Sequence, residues 1–129
     1  MTRVLVTGAF DVMHLGHIRM LEFAKKQGDI LFVLIDSDAK IKREKGPTRP
    51  FNNERDREEF LLSIKHVDNV FSFDSKEKLE DLCEIYLPDI RVVGGDWKDK
   101  EIVGNKSCKK IVYFDRIDGY STTRILNEQ

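Results

Sequence analysis

The apolar positions of this chain fall into short runs that alternate with segments of helical periodicity. Five runs rich in β-branched and other apolar residues predict strands, at residues 3–8, 30–35, 69–73, 90–95 and 110–114. Runs of this kind are typical of strands that are covered on both faces of a parallel sheet. The alternation therefore predicts an α/β fold, a Rossmann-like doubly wound sheet of about five parallel strands with helices on both faces.

Four segments carry apolar residues at helical spacing, at residues 17–28, 54–67, 75–86 and 121–129. The first three have predicted inward stripes formed by Ile18, Leu21 and Ala24, by Phe60, Ile64 and Val67, and by Leu79, Leu82, Cys83 and Tyr86. Ser121 is in position to cap the last of these helices. The polar stretch at residues 36–53 contains few core residues and two of the three prolines, so it predicts a loop.

Composition narrows the class of protein. The chain has 129 residues, of which 40% are hydrophobic and 35% are charged, so we expect one domain spanning residues 1–129. The longest apolar run is too short to cross a bilayer and no cleavable signal stands at the N-terminus, which predicts a cytoplasmic protein without a membrane partner. A net charge of −1 argues against nucleic acid as a partner. Cys83 and Cys108 lack the spacing of metal ligands, and we expect both to be buried or half-buried.

The stretch "GAFDVMHLGH" places two of the three histidines, His14 and His17, at a strand-to-helix junction. Ligands of parallel sheets bind beyond the carboxyl ends of the strands, where this junction is predicted to lie. Backbone N–H groups at a helix start favour phosphate, and imidazoles there can donate hydrogen bonds and carry positive charge. Zinc would need further ligands, and neither cysteine nor His66, predicted on the surface, stands in a suitable position. The pair therefore predicts a phosphate site without a protein-bound metal.

Two further loops at the same predicted edge carry groups that suit phosphate. Residues 40–45 hold four basic side chains, which form either a solvated charge run or, within residues 40–49, a mobile lid over phosphates. Arg57 in the next helix offers a planar bidentate donor. The loop "GYSTTR" brings three hydroxyls to another helix start, at Ser121, Thr122 and Thr123. Two helix starts in one crevice predict a polyphosphate site, although the Walker-A pattern is absent.

Together, "GAFDVMHLGH" and "GYSTTRI" resemble the HxGH-motif nucleotidyltransferase superfamily, and specifically its cytidylyltransferase-like branch, over essentially the whole chain. The resemblance implies transfer of a nucleoside monophosphate from ATP or CTP to a phosphorylated sugar or polyol, with release of pyrophosphate. It also implies Mg²⁺ bound with the triphosphate and a homodimeric assembly.

The resemblance implies roles for individual residues as well. His14 and His17 would hold the α-phosphate, Lys45 with Lys42 would hold triphosphate or acceptor phosphate, and Arg57 would face the substrate phosphates. The nucleotide-binding set would comprise Gly8, Ala9, Phe10, Asp11 and Gly16 near the first histidine, Asp96 against the ribose or base, and Ser121, Thr122 and Thr123 around the β- and γ-phosphates. Arg116 would contact a phosphate or the acceptor.

The sequence leaves more than one acceptor open. "KGPTRPFN" and "GGDWKDKEIVG" are similar to adenylyltransferases that act on heptose 1-phosphate, which favours ATP and a sugar phosphate. Arg116 and Trp97 are more similar to glycerol-3-phosphate cytidylyltransferases, although Ile117 and Tyr120 depart from their signature. Two further alternatives are adenylyl transfer to flavin mononucleotide, as in FAD synthases, and a nucleotide-binding module without catalytic activity.

Overall fold

Five parallel strands form one sheet in a computed structural model that describes residues 1–94 and 108–115. The strands are β1 (Arg3–Gly8), β2 (Ile30–Asp36), β3 (Asn69–Phe73), β4 (Ile90–Gly94) and β5 (Lys110–Phe114). The helices are α1 (Leu15–Lys26), α2 (Asp38–Lys45), α3 (Glu54–Leu62) and α4 (Lys76–Tyr86). All strand pairs are parallel and the sheet order is β3-β2-β1-β4-β5. The predicted fold class is confirmed.

The order of the strands places a topological switch beside β1. The chain runs from β1 through β2 to β3 on one side and then returns to pair β4 with the other side of β1. In such sheets the crevice for a ligand opens beyond the carboxyl ends of the two strands at the switch. The loop that carries His14 leaves β1 at this edge, at Gly8.

Helices cover both faces of the sheet, which explains why the central strands are apolar throughout. On one face α1 and α3 contribute Leu21, Ala24 and Leu61 to a core that includes Val4, Val6, Leu31, Val33 and Val92. On the other face α4 contributes Leu79, Leu82 and Cys83 against Leu5, Phe32, Leu34 and Phe73. Burial of aliphatic side chains on this scale is the main source of stability in a domain of this size.

Three aspartates satisfy backbone N–H groups at the opposite, amino-terminal edge of the sheet. Each carboxylate accepts a bond from a residue at or next to a strand start: Asp29 from Thr2 (2.7 Å), Asp89 from Arg3 (2.8 Å) and Asp68 from Leu31 (2.8 Å). Unpaired N–H groups at such an edge would cost free energy wherever water cannot reach them. These bonds therefore fix the entry of β1 and β2 into the sheet.

The polar stretch after β2 is not a loop throughout, so this prediction was wrong in part. Residues 38–45 form α2, whose Ser37 side chain caps the helix by accepting the N–H of Lys40 at 3.1 Å. Ile41 is the one buried residue of this helix and is fully buried. A single apolar position cannot show periodicity, which is why the pattern did not predict the helix.

The predicted inward stripe of the second helix was wrong in part. Phe60 is 54% exposed, whereas Arg57 and Leu61 are fully buried. The helix ends at Leu62, with the N–H of Ser63 bonded to Glu59, so Ile64 and Val67 pack on the core from the segment after α3. The inward face therefore follows the i, i+4 spacing of Arg57 and Leu61.

The first helix also departs from its prediction in detail. α1 begins at Leu15, two residues before the predicted start, and its Ile18 is exposed rather than inward. Cys83 is buried and Cys108 half-buried, as predicted. The predicted helix at 121–129 lies outside the described residues. Within the described part of the chain, every helix is too short or too polar to span a membrane.

Candidate active site

The two histidines lie where β1 gives way to α1. His14 has extended backbone angles (φ −139°, ψ 178°) and is the N-cap of the helix, while His17 stands in the first turn. The backbone N–H of His14 donates to Nδ1 of His17 at 3.1 Å, and the ring centroids are 3.9 Å apart with an interplanar angle of 30°. The helix start thus holds both imidazoles together at the carboxyl edge, as predicted.

This hydrogen bond determines which nitrogen of His17 carries the proton. Because Nδ1 accepts, it holds a lone pair, and the proton of the neutral ring is on Nε2. Burial and, to a smaller extent, the nearby charge of His14 lower the pKa of His17 from 6.5 to about 4. In the free protein at neutral pH, His17 is therefore a neutral hydrogen-bond donor. The expectation of a cationic ring at this position is wrong for the unliganded state, and a bound anion would raise the pKa.

Phe10 packs against the ring of His17, and Gly8 makes room for Phe10. Phe10 is buried, has a left-handed backbone (φ 51°) and places its ring centroid 5.3 Å from that of His17. A Cβ on Gly8 would lie 3.0 Å from the Phe10 ring, so the glycine allows this ring to pack close to the strand end. Gly16 is buried in the first turn of α1. A nucleotide contact of these residues stays a prediction.

Asp11 is committed to the protein itself in this structure. Its carboxylate is almost fully buried and accepts hydrogen bonds from Nε of Arg49 (3.0 Å) and from the backbone N–H groups of Phe51 (2.9 Å) and Asn52 (2.8 Å). The side chain of Asn52 donates in return to the backbone carbonyl of Asp11. Asp11 therefore joins the loop after β1 to a segment about forty residues away.

Arg57 is fully buried, and its donors are taken by other parts of the chain. Its guanidinium donates to the carbonyls of Ala9 (2.9 Å), Asp36 (2.7 Å) and Asn52 (3.0 Å) and to the carboxylate of Asp38 (2.8 Å). The expectation that it faces the crevice is wrong for this arrangement, because no part of the side chain is exposed to a ligand. Its planar fork instead ties together three segments that border the site.

Of the four basic residues of α2, two remain exposed with neither an ion pair nor a side-chain hydrogen bond in the part of the chain that the structure describes. Lys42 and Lys45 stand three residues apart in the last turns of α2 and so share a face. Lys40 is paired with Asp36 at 3.3 Å and Glu44 at 2.8 Å, and Arg43 donates to the carbonyl of Asp74. α2 follows β2 at the carboxyl edge of the sheet, and a phosphate contact of Lys42 and Lys45 stays a prediction.

The remaining predicted residues lie outside the described ranges: Asp96, Arg116, Ser121, Thr122 and Thr123. No group of three or more His, Cys, Asp or Glu within residues 1–94 and 108–115 is placed to hold a metal ion. Arg49 and Asn52 are contributors that the sequence pattern did not identify, since their partner Asp11 is 38 and 41 residues away.

The cytidylyltransferase-like family profile matches residues 5–128. Among curated proteins, the bifunctional protein HldE of a Nitratiruptor species is 45% identical over 95% of this chain and 26% of that protein. HldE of Campylobacter fetus is 41% identical over 98% of this chain and 28% of its own length. The chain thus spans about a quarter of the length of these relatives.

Two solved structures are similar. A lipopolysaccharide core biosynthesis protein from Thermoplasma volcanium is 30% identical, with a TM-score of 0.75 over 92% of this chain and 99% of that one. Pantothenate synthetase from Thermus thermophilus has a TM-score of 0.63 at 12% identity, over 91% of this chain and 56% of that one, which shows a shared fold alone. The profile match, the identity of the relatives and the histidine pair at the switch of the sheet lead to one conclusion: the chain belongs to the cytidylyltransferase-like family of nucleotidyltransferases.

Proposed function

We propose that this chain transfers the adenylyl group of ATP to a sugar phosphate, in an ADP-heptose type of reaction that releases pyrophosphate. The observation that carries the transfer reaction is the pair of adjacent histidine rings at the start of α1, beyond the end of β1. Two imidazoles and the first-turn N–H groups of α1 form a compact set of donors for the oxygens of one phosphate.

In the proposed reaction, an oxygen of the acceptor phosphate attacks the α-phosphorus of the triphosphate. The bond from the α-phosphorus to the oxygen that bridges to the β-phosphate breaks, and this oxygen leaves with pyrophosphate. The Nε2–H of His17 and the imidazole of His14 donate to the α-phosphate oxygens, whose charge grows in the transition state. Because His17 is neutral before binding, a bound triphosphate also favours uptake of a proton by this ring.

Lys42 and Lys45 supply positive charge from the next strand end. Both are exposed on one face of α2, so their long side chains can reach a phosphate that lies over the crevice. Two ammonium groups there would position triphosphate against acceptor phosphate, two anions that otherwise repel each other.

Magnesium is part of the proposal and would arrive with the triphosphate. Mg²⁺ prefers phosphate oxygens and water to a dedicated protein cage. The imidazoles of His14 and His17 and the ammonium groups of Lys42 and Lys45 suit phosphate rather than this cation. When bound, the ion would neutralise charge on the triphosphate oxygens.

The choice of ATP and a sugar phosphate draws on the relatives. The HldE proteins match nearly the whole chain at 41–45% identity, and the Thermoplasma volcanium neighbour serves the synthesis of lipopolysaccharide core, which is built from sugars. The stretches "KGPTRPFN" and "GGDWKDKEIVG" support the same acceptor class. Arg116 and Trp97 support a second candidate, cytidylyl transfer from CTP to glycerol 3-phosphate.

Pyrophosphate release, measured with a matrix of triphosphates and acceptors, tests the proposal. ATP with heptose 1-phosphate should give the highest turnover, and CTP with glycerol 3-phosphate or ATP with flavin mononucleotide should give far less. Base selection depends on a few hydrogen bonds, each worth about 1–3 kcal/mol when its loss leaves a buried group unpaired. Calorimetry should therefore show ATP binding at least about tenfold tighter than CTP. Tighter CTP binding would favour the polyol reaction, and an absence of pyrophosphate release with every triphosphate and acceptor would leave a nucleotide-binding module without catalytic activity.

A homodimer and a cytoplasmic location complete the proposal. Analytical ultracentrifugation of the purified protein should give a mass near twice the 15.0 kDa of one chain. A single species at the mass of one chain would contradict the dimer without affecting the proposed reaction.

A further inference from the structure

Asp11 binds the segment that follows α2 in the chain. Its partners Arg49, Phe51 and Asn52 follow α2 and Lys45 in the chain, while His14 follows Asp11 itself by three residues. We call the hydrogen bonds among Asp11, Arg49, Phe51 and Asn52 the Asp11 network. The network connects two parts of the proposed phosphate site, the loop that carries the imidazoles and the helix that carries the lysines.

The Asp11 network stabilises the ionised form of a carboxylate that is buried away from water. Burial alone would raise the pKa of Asp11, but the bonds from Asn52, Phe51 and Arg49 lower it below its usual value. The side chain of Arg49 is largely buried beside it. An ionised group with three charge-assisted or backbone bonds has little freedom to move, so the segment that donates these bonds is held firmly.

A second buried side chain strengthens the same connection. Nε of Arg57 donates to the carbonyl of Asn52, and its Nη1 donates to the carbonyl of Ala9. Arg57 thereby bridges residues 9 and 52, and Asn52 is bonded both by this buried cation and by the buried anion of Asp11. The same guanidinium joins α2 to the histidine loop directly, because its Nη2 donates to the carboxylate of Asp38 in the first turn of α2, and six residues separate Lys45 from Asn52.

We propose that Asp11 is a positioning residue of the reaction: it sets the place of Lys45 relative to the His14–His17 pair and does so without touching substrate. The inference rests on the proposed function, because it assigns a task to the lysine within nucleotidyl transfer. Small displacements of groups that hold two reacting phosphates reduce the rate steeply, so a loose segment costs catalysis before it costs folding.

The chain offers a matched control in Asp68. This aspartate also has a lowered pKa and accepts one cationic side chain, Nζ of Lys25, and one backbone N–H, that of Leu31. It lies at the amino-terminal edge of the sheet, opposite the site. Asp68→Asn removes the same charge by the same chemical change, so it reports the effect of a lost ion pair on stability alone.

A double-mutant cycle on kcat/KM tests the proposal. Asp11→Asn should lower kcat/KM by roughly tenfold or more, while Asp68→Asn should change it by less than about twofold. In a Lys45→Ala background, Asp11→Asn should cost less than about threefold, because the group it positions is already gone. Arg49→Gln leaves the backbone bonds to Asp11 in place and should show the same coupling at smaller size, so the cycle survives if Asp11→Asn does not fold.

Full additivity of Asp11→Asn with Lys45→Ala would overturn the proposal, and so would an equal loss of activity in Asp68→Asn. A wild-type protein that is inactive with every acceptor would refute the proposed function instead. In that case amide hydrogen exchange decides the positioning role. The N–H groups of Lys45 and Gly46 should exchange faster in Asp11→Asn than in Asp68→Asn, and equal rates would overturn it.

Discussion

Replacement of His17 by glutamine separates the structural task of this side chain from its chemical one. Glutamine at this third helical position can still accept the N–H of His14, as in an ordinary capping box, but it has no imidazole. Turnover should fall roughly 10²-fold or more, the cost of losing one donor to a developing oxyanion. Stability at pH 7 should stay within about 1 kcal/mol of wild type, because the cap is kept.

The pH dependence gives this prediction a second, quantitative part. A folded-state pKa of about 4 against 6.5 in the unfolded chain means that the unfolded state binds more protons between these values. The stability that neutral His17 contributes is therefore complete above pH 6.5 and is lost as the pH falls toward 4. At pH 4.5 the loss amounts to about 2–3 kcal/mol, because each tenfold change in proton affinity is worth about 1.4 kcal/mol. Glutamine has no such loss.

Urea unfolding at pH 7 and pH 4.5 measures both parts, together with turnover at pH 7. Between pH 7 and pH 4.5, the free energy of unfolding of wild type should fall by about 2–3 kcal/mol more than that of His17→Gln. His17→Ala should show the same difference from wild type but be less stable than His17→Gln at both pH values, by about 0.5–2 kcal/mol, because it lacks the capping acceptor. Parallel pH profiles for wild type and His17→Gln would refute the assigned pKa and tautomer. Nearly normal turnover in His17→Gln would refute the chemical role.

Two pairs of variants and one ligand experiment give three further tests. Arg57→Lys should lower the free energy of unfolding by about 3 kcal/mol or more in a urea titration, because a single ammonium cannot donate to four acceptors. Arg55→Lys, on the exposed face of α3, should change this free energy little. Gly28→Ala should cost about 1–3 kcal/mol, because its Cβ would lie 2.8 Å from a backbone oxygen, while the Cβ of Gly94→Ala meets no atom of the described residues within 4 Å and the variant should be near neutral in thermal unfolding. Amides within residues 40–49 should gain protection from hydrogen exchange when ATP binds, and equal exchange with and without ATP would leave no lid.

The strands and the histidine pair could be predicted because both are local. Each strand is a continuous apolar run, and the glycine, aromatic and histidine residues of "GAFDVMH" lie within a few positions of one another. α2 and the inward face of α3 could not be predicted in this way. α2 has a single buried residue, Ile41, so it shows no apolar periodicity. Arg57 of α3 points inward to acceptors that lie 5 to 48 residues away in the chain, which a local pattern does not show. A charged residue at an inward position looks like a solvated one until its distant partners are known.

The same reasoning explains the changed assignment of Asp11. The family resemblance implied that it contacts the nucleotide, and its burial shows instead that the carboxylate bonds the segment after α2. Only the fold brings Arg49 next to it. Site residues whose partner is the substrate can thus be suggested by a motif, whereas residues whose partner is another loop need the tertiary structure.

The aspartates that cap the amino-terminal edge of the sheet also bear on how such a scaffold can evolve. The bonds of Asp29, Asp68 and Asp89 to strand starts involve none of the residues that border the crevice. Insertions or exchanges in the loops after β1, β2 and β4 would leave these bonds intact. Selection can therefore change these loops while the aspartates preserve the strand register, and the stability penalty falls on exchanges that disturb the buried contacts of Asp11 and Arg57.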